Sequence, residues 1–184
     1  MVDSKELMSL AERFDELREA AIDASSIIYM LKAGFLGLLG STITLETVPE
    51  VAAETGWPAL PVKLVGPVPG DPGSATAISS KHGAFAVSDD SGSPGPDLSN
   101  DQRLLSFALT AWLPLVSEDR ALLRAAEEAG LEYYNSLMML AFLRYRGRID
   151  EAWFEESKAR LLSLARYGED VLEAYRGIER ELGL

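Results

Sequence analysis

The stretch AAIDASSIIY at residues 20–29 decides the fold that we predict for this chain. An apolar run ends on Asp23, and an apolar helical pattern begins directly after it. A short apolar run is typical of a buried strand, and Ser25 or Ser26 can cap the helix that follows. Open α/β sheets bind ligands outside the carboxyl ends of their strands. We therefore expect Asp23 to lie at a functional site.

The rest of the chain alternates short apolar or β-branched runs with helical patterns. The predicted strands are 20–23, 42–45, 62–65, 112–117 and 131–134. The main predicted helices are 4–19, 35–39, 47–54, 101–110, 120–129, 137–145, 150–165 and 169–182, with one more ending near residue 32. This alternation indicates a parallel sheet covered on both faces. We predict an α/β fold, a three-layer α/β/α sandwich with a central, mainly parallel sheet and extra helices at both termini.

The chain is expected to form a single domain over residues 1–184, a common size for one domain. It would carry an N-terminal helical extension at 1–19 and C-terminal helices at 150–184. Between them, the segment 66–100 is rich in Pro, Gly and Ser and is predicted to be an insertion, with two short strands at 76–79 and 84–87. Pro114 disfavours a central position for the strand at 112–117, because proline cannot donate to a strand ladder.

The composition excludes several classes of protein. The chain has no cysteine, which excludes disulfides, thiolate zinc sites and cysteine nucleophiles. No apolar run reaches the roughly 20 residues that a membrane span needs, so no contact with a membrane is expected. Residues 1–19 are charged and helical in pattern, unlike a signal peptide, and a cytoplasmic location is expected. The net charge of −12 argues against nucleic-acid binding through overall charge, but it suits carboxylates gathered for divalent cations.

Four acidic residues follow or flank the predicted strand ends: Asp23, Glu50, Asp101 and Asp119. Because parallel strands point their carboxyl ends the same way, side chains from these segments can meet in one crevice. Asp101, Asp119 and Glu50, each taken alone, are equally typical of a first helical turn, where an acid complements the helix dipole. Asp23 is harder to explain in that way, because it interrupts an apolar strand entry. Glu46 competes with Glu50 for the second position, and the sequence leaves that choice open.

Acids gathered in one crevice need a counter-charge, since like charges a few ångströms apart raise each other's pKa. Mg²⁺ or Mn²⁺ prefers carboxylate oxygens and retains bound waters. A metal-bound water with a lowered pKa is the nucleophile that phosphodiester hydrolysis requires. The acid set therefore predicts a Mg²⁺ or Mn²⁺ site.

The order and spacing of these acids resemble those of a PIN domain, a family of metal-dependent ribonucleases. The likeness covers about residues 20–147, and the segment from Arg146 onward resembles an uncharacterised prokaryotic branch of that family. It is carried by short motifs: Ile22-Asp23-Ala24-Ser25, Thr47-Val48-Pro49-Glu50-Val51, Asp101 with Leu104 and Ala108, Val116-Ser117-Glu118-Asp119-Arg120, and Asn135.

The resemblance implies an endoribonuclease, related to toxin–antitoxin ribonucleases, that hydrolyses RNA phosphodiester bonds with a metal-activated water. Asp23, Asp101 and Asp119 would hold Mg²⁺ or Mn²⁺, and Glu50 would hold metal or orient the attacking water. Substrate contacts, with RNA that is expected to be single-stranded, would come from Ser25, Arg120 and Asn135. The alternative is an inactive PIN-like binding module that docks a partner protein. A homodimer or an antitoxin partner stays open.

Overall fold

The computed structural model describes residues 8–65 and 98–184, which include a five-stranded, all-parallel sheet. The strands are β1 (Glu19–Ile22), β2 (Thr44–Thr47), β3 (Lys63–Leu64), β4 (Leu115–Val116) and β5 (Tyr133–Tyr134). Their order across the sheet is β3-β2-β1-β4-β5. The register pairs Ala21 with Glu46 on one side and with Leu115 on the other. The predicted parallel sheet is therefore confirmed.

Helices flank the sheet and extend the chain at both ends. They are α1 (Leu10–Glu16), α2 (Ala24–Ala33), α3 (Leu36–Thr42), α4 (Pro49–Glu54), α5 (Asn100–Ala111), α6 (Arg120–Glu128), α7 (Ser136–Tyr145), α8 (Glu151–Leu164) and α9 (Glu169–Leu182).

Two apolar cores lie on opposite faces of the sheet because side chains alternate along each strand. In β1, Ala20 and Ile22 belong to one core, and Ala21 belongs to the other. The first core receives buried side chains from α1, α2, α3, α7, α8 and α9. The second receives them from α4, α5 and α6. These two helical layers around one sheet confirm the three-layer α/β/α sandwich, with the terminal helices added to the first layer.

The N-terminal helix packs into the first core through an aromatic side chain. Phe14 is completely buried, and its ring lies edge-on to Phe142 of α7 with 5.3 Å between ring centroids. Burying an aromatic side chain of this size contributes roughly 1.5–3 kcal/mol, enough to hold a helix that is too short to be stable alone.

Polar side chains at strand ends start several of the helices. Asp23 follows β1 and caps α2, Asp119 follows β4 and caps α6, and Asn135 follows β5 and caps α7. The prediction that Ser25 or Ser26 caps α2 is wrong, because Asp23 accepts the hydrogen bond from the Ser26 amide at 2.7 Å. Asp23 and Asn135 come directly after their strands, whereas Ser117 and Glu118 separate Asp119 from β4.

Several predicted boundaries are corrected by the structure. The first helix ends at Glu16 rather than at residue 19, because β1 begins at Glu19; its predicted first residues lie outside the described residues. Gly40 lies inside α3 instead of ending it, and β2 begins only at Thr44. The insertion at 66–100 and its two predicted strands fall almost entirely outside the described residues.

Pro114 does not keep β4 at the edge of the sheet. β4 lies between β1 and β5, so the expectation of a non-central strand is wrong. Pro114 precedes Leu115, the first residue of the strand, and its carbonyl accepts the amide hydrogen of Ala21 at 2.8 Å. Because Pro114 precedes the strand, its lack of a backbone N–H removes no hydrogen bond from the strand ladder.

Within residues 8–65 and 98–184, no single helix combines the length and the apolar composition that crossing a membrane requires. α2 and α3 meet both criteria only when taken together, as a pair bent by 111°.

Candidate functional site

The strand order places a topological switch point beside Asp23. From β1 the chain builds the sheet outward through β2 and β3, and it then returns to place β4 and β5 on the other side. Such a reversal is the switch point at which doubly wound sheets bind ligands. The carboxyl ends of β1 and β4 flank this point, and they lead into Asp23 and into Ser117, Glu118 and Asp119.

The Asp23 carboxylate is buried and fixed. Only 5% of the residue is exposed. Its Oδ1 accepts the Ser26 amide hydrogen, and its Oδ2 accepts the hydroxyl hydrogens of Ser25 at 2.7 Å and Ser117 at 2.6 Å. Hydrogen bonds to a charged acceptor are shorter and stronger than neutral ones. Three of them hold the Asp23 carboxylate in one orientation.

Ser117 connects Asp23 to the strand end that carries Asp119. Its completely buried hydroxyl donates to Asp23 and accepts the amide hydrogen of Asp119 at 3.0 Å. Ser117 belongs to the motif Val116-Ser117-Glu118-Asp119-Arg120 but was not predicted to be a site residue. The serine two positions before Asp119 is the available signal, because a Ser hydroxyl can accept a nearby backbone amide in a turn.

Asp119 presents one occupied and one open carboxylate oxygen. Its Oδ1 accepts the amide hydrogens of Ala121 at 2.7 Å and Leu122 at 2.9 Å, which caps α6. Within the part of the chain that the structure describes, its Oδ2 accepts no hydrogen bond. Asp119 is exposed, so this second oxygen is available to a ligand.

Asp101 lies in the first turn of α5, within electrostatic reach of both other aspartates. Burial of its carboxyl raises its pKa, and the negative charges of Asp119, Asp23 and Glu54 raise it further. The three aspartates belong to three separate elements, and their interaction at Asp101 is unfavourable when all three are ionised.

Glu50 and Glu46 both form ion pairs elsewhere. Glu50 lies in the first turn of α4, and its Oε1 is 3.6 Å from Nη1 of Arg103 on α5. Glu46 is buried in β2, and its Oε1 lies 2.5 Å from Nζ of Lys63, its register partner on β3. The described contacts join neither glutamate to the three aspartates, so the choice between them as the second acid stays open.

The three predicted substrate contacts have structural partners of their own. Ser25 donates to Asp23, and it is the only one of the three that touches an acid of the site within the described residues. Arg120 is exposed and donates to Oδ1 of Asp170 at 3.1 Å. Asn135 accepts the Met138 amide hydrogen at 2.9 Å as the cap of α7. Their contacts with RNA stay predictions.

Glu118 is a further acid of this region that sequence reasoning missed. Burial raises the pKa of its carboxyl, the Ser136 amide and the nearby hydroxyls of Ser136 and Tyr167 oppose that rise, and the charge of Asp23 adds to it. Its Oε1 accepts the amide hydrogen of Ser136 at 2.6 Å, at the start of α7. No local pattern marks Glu118, because its partners belong to distant parts of the chain.

The fit of a divalent cation depends on the three aspartates. Among the described residues, no group of three or more His, Cys, Asp or Glu side chains is arranged closely enough to hold a metal ion. The donor chemistry nevertheless suits Mg²⁺ or Mn²⁺, since Asp119 has an open oxygen and the repulsion at Asp101 would be relieved by a cation.

A surface pocket of about 500 Å³ lies elsewhere, between α3, β2 and β3, and none of the three aspartates lines it.

No family model, curated protein or solved structure matches this chain.

Proposed function

We propose that this chain is a metal-dependent ribonuclease with a PIN-like site, acting in the cytoplasm on RNA phosphodiester bonds. The observation that carries the proposal is the electrostatic coupling of Asp101 to Asp119 and Asp23 at the switch point of the sheet. The negative charges of Asp119 and Asp23 oppose the ionisation of Asp101, which costs stability. Binding of a divalent cation would offset that cost.

Asp23, Asp101 and Asp119 are the residues that would hold Mg²⁺ or Mn²⁺. When bound, such an ion lowers the pKa of a coordinated water and offsets negative charge on the phosphate. Asp23 contributes a carboxylate that Ser25 and Ser117 hold still, which reduces the reorganisation needed on binding. Asp119 contributes its open Oδ2 while Oδ1 remains on the α6 amides.

The remaining predicted residues act around this centre. Glu50 would hold metal or orient the attacking water once its exposed ion pair with Arg103 is broken. Arg120 would contact a phosphate of single-stranded RNA, because a guanidinium forms paired hydrogen bonds with phosphate oxygens. That contact competes with its exposed ion pair to Asp170, which costs little to break.

Replacement of Asp23 by Asn tests the proposal. The variant keeps an oxygen to accept the Ser26 amide, and the two serine hydroxyls can turn their hydrogens away and accept hydrogen bonds from the new amide nitrogen. It loses the negative charge. We expect cleavage of a labelled single-stranded RNA in Mn²⁺ to fall by about 100-fold or more, since a metal contributes several kcal/mol to such reactions.

The control for this experiment is Asp15→Asn, a substitution of an exposed aspartate on α1 with no described contact to the three aspartates. It should cleave at the parent rate. Circular dichroism should show that both variants are folded. Cleavage by Asp23→Asn at the parent rate would exclude the proposed site.

A second candidate function is a PIN-like binding module that docks a partner protein. Two observations favour it. The net charge of −12 repels the negatively charged RNA backbone. Both carboxylate oxygens of Asp23 already accept hydrogen bonds from the protein. Thermal melting with and without Mn²⁺ separates the two functions. An ion present at 100 times its Kd stabilises the fold by about 2.7 kcal/mol. An unchanged melting temperature would favour the module, with a second copy or an antitoxin-like protein as the partner to seek.

A further inference from the structure

We draw no further inference here: the strongest candidate, the surface pocket between α3, β2 and β3 that Leu45, Leu60 and Val62 line, carries none, because nothing within residues 8–65 and 98–184 shows what covers it.

Discussion

Ser117→Ala is the substitution that tests most directly how Asp23 and Asp119 are connected. The Ser117 hydroxyl is completely buried and serves two partners at once, as donor to the Asp23 carboxylate and as acceptor for the Asp119 amide. Alanine can do neither. The variant therefore leaves the buried carboxylate with one donor fewer and leaves an amide without its acceptor.

The expected cost follows from these two losses. A hydrogen bond to a charged group contributes about 1.5–3 kcal/mol, and an amide left without an acceptor adds about 1 kcal/mol. The total, roughly 3 kcal/mol, is a large share of the 5–15 kcal/mol that is usual for a folded domain. Ser25→Ala is the matched control, since it removes the other hydroxyl from the same Oδ2 at a partly exposed position where no acceptor is lost. It should cost about 1 kcal/mol.

Urea denaturation and thermal melting measure the difference. For a chain of this size, 1 kcal/mol corresponds to a change in melting temperature of roughly 2–4 °C, so Ser117→Ala should melt roughly 6–12 °C below the parent. Ser25→Ala should melt only a few degrees below it. Equal losses in the two variants would refute the argument that Ser117 bridges Asp23 and Asp119.

The remaining predictions concern charge repulsion and close packing. Asp101→Asn should raise the melting temperature at pH 7 in EDTA, because the raised pKa of Asp101 means that its ionised form opposes folding. The destabilisation by ionised Asp101 grows as the pH rises from the ordinary carboxyl range toward the raised pKa. The gain in melting temperature of the variant should therefore disappear in acid. A gain that persists at pH 3 would contradict the raised pKa of Asp101. Gly40→Ala should destabilise the protein by about 1–3 kcal/mol in urea denaturation, since its Cβ would lie 2.6 Å from the carbonyl oxygen of Pro61. Gly37→Ala on the same helix meets nothing within 4 Å and should stabilise by about 0.5–1 kcal/mol, so a loss of stability there would count against the packing described.

The sequence was sufficient to predict the layers of the fold because they depend on local patterns. The apolar run before Asp23 and the spacing of apolar residues in α9 are visible without any knowledge of tertiary contacts. α9 covers the predicted residues 169–182, because Gly168 precedes its apolar pattern and Gly183 follows it. The place of the strand containing Leu115 stayed open because it depends on which strands neighbour it, and Pro114 was a misleading local signal against a central position.

The site was predictable only as a set of acids. Their positions after predicted strands follow from the alternating pattern, and their assembly into one metal site stays a prediction. The partners of each acid were not predictable. The Ser117 bridge to Asp23 spans 94 residues, and the pairing of Glu46 with Lys63 depends on the register of two strands. Such contacts arise from packing and leave no mark in the local sequence.

The most direct test of the central claim is a crystal of the parent protein soaked in Mn²⁺, with the anomalous signal of manganese measured around the switch point. We expect a peak within coordination distance of the carboxylates of Asp23, Asp101 and Asp119. A crystal that shows no peak beside Asp23, or a peak only at remote surface acids, would contradict it.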